Sequence, residues 1–179
     1  MENSHAKLIL GLKRLARLAE QRRLVLVLLL GLLPVSGTAQ ISTLQGMERN
    51  AVGEVLNQFH AAAARGDFET YFSLMHENGF FIGTDASERW SKAEFQAYAG
   101  GRSGWVYRAT SRDINFTPDG NSAWFHEILA SESYGSARGT GVLISTPEGW
   151  KIVQYHLTFP VPNSLAREVT DMIKEVEGR

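Results

Sequence analysis

Apolar residues recur at helical spacing through Val52, Val55, Leu56, Phe59, Ala62 and Ala63, which predicts an amphipathic helix running to about Ala64. Residues 40–46 are a polar, irregular lead-in, within which Ser42 and Gln45 have capping-box spacing. Arg65-Gly66-Asp67 ends the helix: Gly66 suits the left-handed position after the last turn, and Asp67 the cap of the next helix. That triplet reads as a helix–helix turn, in preference to an integrin-type recognition motif. A second helix is expected over Phe68–His76, with Phe68, Phe72 and Met75 inward. Asn78-Gly79 breaks it, and Phe80-Phe81-Ile82 makes a short strand. Ser91 and Glu94 form a capping box for a third helix that carries Phe95 and Tyr98 on one face and stops at Gly100-Gly101.

From Trp105 the period changes to two. Strands are expected near Trp105–Thr110, Ile114–Thr117, Ser122–Ser131, Gly139–Ser145 and Trp150–Phe159. Pro118-Asp119-Gly120, the glycine-rich stretch Ser133–Gly139 and Pro147-Glu148-Gly149 supply the turns of an antiparallel meander. Leu165, Val169, Met172 and Val176 then make an amphipathic terminal helix. Helices first and strands later imply an α+β domain, with helices covering one face of a sheet.

The first forty residues read differently. Lys7, Lys13, Arg14, Arg17, Arg22 and Arg23 precede an apolar run, Leu24 to Leu33, that ends at Pro34; Ser36, Gly37, Thr38 and Ala39 follow. A basic leader, a short apolar stretch and a small-residue exit describe a secretory signal. The cut is placed between Ala39 and Gln40, so the mature protein is periplasmic or secreted. A spanning helix needs about 20 apolar residues, so membrane attachment arises only if the segment stays uncleaved. Met47 is an alternative start, which would give a cytosolic protein. The resulting division is 1–39 signal peptide, 40–46 flexible N-terminus, 47–163 folded domain and 164–179 terminal helix.

Removing the leader leaves 12 basic and 17 acidic residues, a net charge of −5. An acidic domain without a basic stripe excludes nucleic acid as the expected partner. The chain has no cysteine, which excludes thiol catalysis, thiolate metal sites and disulfides; the fold must rest on its core. No phosphate loop, G-x-S-x-G, H-E-x-x-H or EF-hand spacing is present, and no cofactor is expected.

Phe80-Phe81-Ile82-Gly83-Thr84-Asp85-Ala86-Ser87-Glu88-Arg89-Trp90, Gly104-Trp105, Ala123-Trp124-Phe125, Arg138-Gly139-Thr140-Gly141 and Gly149–Thr158 resemble the SnoaL-like branch of the nuclear transport factor 2-like superfamily. The resemblance covers about residues 47–163. It implies a cone-shaped, strongly bent antiparallel or mixed sheet wrapped around three N-terminal helices, here with an extra C-terminal helix. It also implies a pocket open at one end and, commonly, a homodimer through the outer sheet face. The superfamily contains cyclases, isomerases, hydrolases, dehydratases and non-enzymatic binders, so the fold does not assign chemistry.

Alternation puts Trp150, Ile152, Gln154, His156 and Thr158 on one face of the last strand, and either face is open to the pocket. His156 and His126 are candidates for an acid/base pair, with Asp85, before the capped helix, as a third catalytic candidate. A metal site is not expected from two histidines lacking a third ligand. Trp90, Arg89, Trp105, Tyr107, Trp124, Gln154 and Thr158 are the candidate ligand-binding set. Three functions are open: binding of a small, largely apolar molecule, acid/base catalysis on a small cyclic substrate, or a dimeric adaptor.

Overall fold

The computed structural model describes residues 36–179, with side chains from residue 44. The leader 1–35, and most of the proposed signal, lies outside the described residues. Two units are distinguished, Met1–Gly46 and Met47–Arg179; the sheet, the core and the cavities all belong to the second.

The first helix, α1, spans Ser36–Arg65. The expected irregular lead-in over 40–46 is therefore helical, and the start expected at Ser42 is not there. Nothing between Thr38 and Gln45 breaks a helix, and an isolated glycine such as Gly46 costs only about 1 kcal/mol. The predicted stop holds: Gly66 is left-handed at φ 68°, and Asp67 accepts from the Thr70 N–H at 3.1 Å, capping α2 (Phe68–Ser73). This hydrogen bonding, to the side chain and backbone of Thr70, holds the Asp67 carboxyl below its usual range.

Helix α2 is shorter than expected because β1 (Met75–Ile82) begins at once. Asn78-Gly79, expected as a break, is an irregularity within that strand, where pairing with the last strand shifts between Met75 and Phe80. A Cβ on Gly79 would lie 2.9 Å from the carbonyl oxygens of both His76 and Ile152, so only glycine fits. Then come β2 (Arg89–Ser91) and α3 (Lys92–Ala99). The Ser91–Glu94 capping box is formed in both directions.

The rest is β3 (Arg108–Phe116), β4 (Ser122–Ser131), β5 (Gly135–Thr146), β6 (Gly149–Thr158) and the terminal α4 (Ala166–Val176). The two short strands expected before Pro118 are one strand with an irregularity between Ala109 and Ser111. The glycine-rich stretch expected as a loop belongs largely to β5. The six strands run in the order β2-β1-β6-β5-β4-β3; β1 and β6 are parallel and the other neighbours antiparallel. The result is the expected α+β cone with a mixed sheet.

The core lies between α1, α2, α3 and the inner sheet face. Val52, Leu56, Phe59 and Ala63 of α1 meet Phe125, Leu143, Ile152 and Tyr155, with Tyr71, Phe72 and Phe95 completing it. Helix α4 is amphipathic but has no buried residue.

Candidate functional site: an aromatic cavity beside a buried charge cluster

One irregularity decides which residues face the cone. Between β5 and β6, Val142 pairs with Gln154 but Leu143 pairs with Ile152, leaving Val153 of β6 as an extra residue. A one-residue bulge reverses side-chain parity. Trp150, Ile152 and Tyr155 are all buried, which continuous alternation forbids. The shared face expected for Trp150, Ile152, Gln154, His156 and Thr158 is therefore corrected: the first two face inward and the last three outward. In β4 the inward set is Ala123, Phe125, Glu127 and Leu129, which leaves Trp124 and His126 outside.

His126 and His156 are brought into one row, each paired with Thr140 on the intervening strand. That row crosses the outer face. His126 Nδ1 lies 3.9 Å from an Asp113 carboxylate oxygen. Asp85 lies on an exposed loop, where its carboxylate accepts from the Ser87 hydroxyl at 2.5 Å and the Ser87 N–H at 2.8 Å. Those two bonds lower its pKa and give it a turn-forming role. Arg89 stacks on Phe80, its guanidinium carbon 4.2 Å from the ring centroid. None of His126, His156, Asp85, Arg89, Trp124, Gln154 or Thr158 lines the main cavity, whereas Trp90, Trp105 and Tyr107 do.

This cavity, of about 900 Å³, is in the size range of small-molecule sites. One wall comes from β1, β2, α3 and the loop after α3. There Phe81 stacks on Phe95 at 4.1 Å and Trp90 on Tyr98 at 4.5 Å, and Trp105 closes on Phe95 at 5.7 Å. The other wall comes from the β4–β5 turn and the end of β6, where Tyr134 stacks on Phe159 at 4.9 Å beside Leu157. Tyr107 lies between them. Burial, then the nearby phenols of Tyr134 and Tyr98, push its hydroxyl above the usual tyrosine value, so it stays a neutral donor at physiological pH.

The charged groups of the lining are already engaged. Arg102 lies 4.0 Å over the Tyr98 ring and donates to the Tyr98 carbonyl. Glu88 accepts from the Asp85 N–H, and Glu132 sits 3.4 Å from Arg108. The lining contains no histidine, aspartate or lysine. Among the described residues no group of three or more His, Asp or Glu side chains is placed to hold a metal ion.

The most unusual chemistry lies deeper, and sequence reasoning missed it. Glu127 is fully buried. One of its oxygens accepts from Tyr155 at 2.8 Å and meets His60 Nε2 at 2.7 Å; the other accepts from Arg112 Nε at 2.7 Å. Arg112 also donates to the Gly53 carbonyl and the Asn57 side chain; its second terminal nitrogen is buried without a partner. Burial acts to raise the Glu127 pKa, but the His60 hydrogen bond and charge and the Arg112 charge outweigh it, and the net shift is downward. An ionised carboxylate only accepts, so His60 carries its proton on Nε2. None of His60, Arg112, Glu127 and Tyr155 lines the cavity. A signal was available: Glu127 shares parity with Ala123, Phe125 and Leu129, an otherwise apolar set.

Comparison with known proteins agrees with this architecture. The SnoaL-like domain family matches residues 52–162. Among solved structures, a nuclear transport factor 2-like protein with a cystatin-like fold from Novosphingobium aromaticivorans superposes at TM-score 0.57 with 18% identity, covering 76% of this chain and 97% of that one. A proposed dehydratase of the same superfamily from Streptomyces avermitilis gives TM-score 0.53 and 21% identity over 63% of this chain and 96% of that one. A proposed scytalone dehydratase from Novosphingobium aromaticivorans gives 0.56 and 10% over 68% and 93%. At these identities the likeness is one of fold. Among curated proteins none matches the chain.

Proposed function

We propose that this chain, which belongs to the SnoaL-like domain family, is an exported protein that binds a small, largely apolar molecule in its aromatic cavity. One observation carries the reading: Tyr98, Val106, Tyr134 and Phe159, all exposed large apolar side chains, line the same cavity. Scattered apolar exposure is ordinary, but a concentration of it at one concave site marks a place where something binds. The alternative, acid/base catalysis by His156, His126 or Asp85, lacks support because none of the three reaches the cavity.

The neutral fluorophore N-phenyl-1-naphthylamine provides the test. It should bind saturably at micromolar concentration, and Tyr98→Ser combined with Tyr134→Ser should weaken it roughly tenfold, each lost stacking contact being worth about 0.5–1.5 kcal/mol. No saturable binding by the wild type would remove the reading.

The partner reading is a homodimer through the outer sheet face, supported by the family resemblance and by Trp124, 46% exposed there. Light scattering should give a dimer that Trp124→Glu converts to a monomer; a monomeric wild type would count against it. Export is supported by the leader alone: N-terminal sequencing of the secreted protein should begin at Gln40, and an intact 24–35 stretch would refute cleavage.

A further inference from the structure

A second cavity, of about 600 Å³, shares no lining residue with the aromatic one. It lies where α2 gives way to β1, beside the start of α3 and the β5–β6 turn. Two lysines are tethered here. Lys92 Nζ donates to the Met75 carbonyl at 2.9 Å, and Lys151 Nζ donates to the Ser73 carbonyl at 2.8 Å. The Ser73 carbonyl ends α2, so the negative end of the helix favours Lys151, and the Met75 carbonyl opens β1. An ammonium has three N–H groups; each lysine spends one on its tether.

Other groups add donors. His76 Nδ1 accepts from the Asn78 N–H at 3.1 Å, which puts the proton of a neutral ring on Nε2. Ser145, exposed in the lining, has a hydroxyl to offer. Two carboxylates also line the cavity. Glu148 is exposed and accepts from the Thr146 hydroxyl at 3.0 Å; Glu77 is exposed too. Solvation weakens the field of the exposed carboxylates more than that of the two partly buried lysines. Lys92 registers the result: burial, then the charge of Lys151, hold its pKa below the usual lysine value, against the opposing pull of Glu77. Two tethered cations lining one cavity favour an anion between them.

We infer that this second cavity is a binding site for a small oxyanion of the phosphate type, held between Lys92 and Lys151 with His76 Nε2–H and the Ser145 hydroxyl as further donors. The group can come from free phosphate or from a phosphate ester; the tethered ammoniums recognise the oxygens they share. The site stands apart from the apolar-ligand reading and does not depend on it.

Inorganic phosphate is the probe, titrated into the full chain at constant ionic strength with chloride as the balancing anion, and followed by phosphorus NMR line width and by Tm. Saturable broadening and a rising Tm are expected. Lys92→Met and Lys151→Met should each weaken binding by about tenfold or more, the loss expected for a charge-assisted hydrogen bond. Ser145→Asp, at an exposed position that leaves both tethers in place, should abolish binding even if a lysine variant fails to fold. Glu77→Gln should tighten it. A phosphate monoester binding more tightly than phosphate would identify the ester as the preferred source, and the reverse the free ion. No saturable response in the wild type, or binding unchanged by Ser145→Asp, would overturn the proposal.

Discussion

Glu127→Ala should lower the unfolding free energy by about 3–5 kcal/mol, the cost of removing one partner from a buried ion pair. The carboxylate is the hub that Arg112, His60 and Tyr155 share. Without it a largely buried guanidinium, one of whose nitrogens already has no partner, loses its counter-charge. Urea unfolding at pH 7 measures the loss. Replacing Arg112 and Glu127 together by leucine should cost less than the sum of the single changes, because neither charge is left stranded. The pH dependence has a definite sign. The folded pKa of Glu127 is depressed, so its contribution is complete above the unfolded value of about 4.3 and drains away as pH falls through the lower folded value. Tyr155 acts at the other end. Burial, then the Glu127 charge, raise its phenol, so its contribution holds below about pH 10 and is lost as pH rises through the folded value. Glu127→Ala should flatten the acid limb.

Gly141→Ala should cost about 3 kcal/mol, at the upper end of the overpacking range. A Cβ there would strike the Gln154 carbonyl oxygen and come within 2.7 Å of the Phe125 ring. The first obstacle is backbone of the adjoining strand, beside the Val153 bulge, and cannot swing aside as a side-chain end can. The strand must separate or the bulge must move, and moving the bulge would return Gln154 and His156 to the inner face. A lowered denaturation midpoint with an unchanged slope would show lost stability alone; a changed slope would show the strand pairing itself disturbed.

These two sites show why the sequence was legible in some places and opaque in others. Local rules sufficed where the determinants are local. Ser91 and Glu94 cap α3 from three residues apart, and Gly66 and Asp67 end one helix and begin the next. The aromatic wall was partly visible, since Trp90, Trp105 and Tyr107 do line the cavity. Tyr98, Tyr134 and Phe159 were not assigned to it, because a helix, a turn and a strand end converge there from distant parts of the chain. Strand parity failed at Val153 because a bulge is set by what the neighbouring strand needs. The polar Ser111-Arg112-Asp113 run reads as a break because Arg112 points inward, to a glutamate on the next strand. The start of β5 reads as a loop in part because the groups that exclude a Cβ at Gly139, Tyr155 and Glu127, lie on other strands.

Ligand binding in the aromatic cavity can be read at the tryptophans. The chain has 4 tryptophans, and each gives its own indole N–H resonance. Trp90 and Trp105 line the cavity; Trp124 lies on the outer face, and Trp150 donates to Glu48 at 2.8 Å. Titration of isotope-labelled protein with N-phenyl-1-naphthylamine should shift the Trp90 and Trp105 indole signals and leave those of Trp124 and Trp150 in place. Shifts confined to Trp124, or no saturable shift at Trp90 and Trp105, would contradict the account.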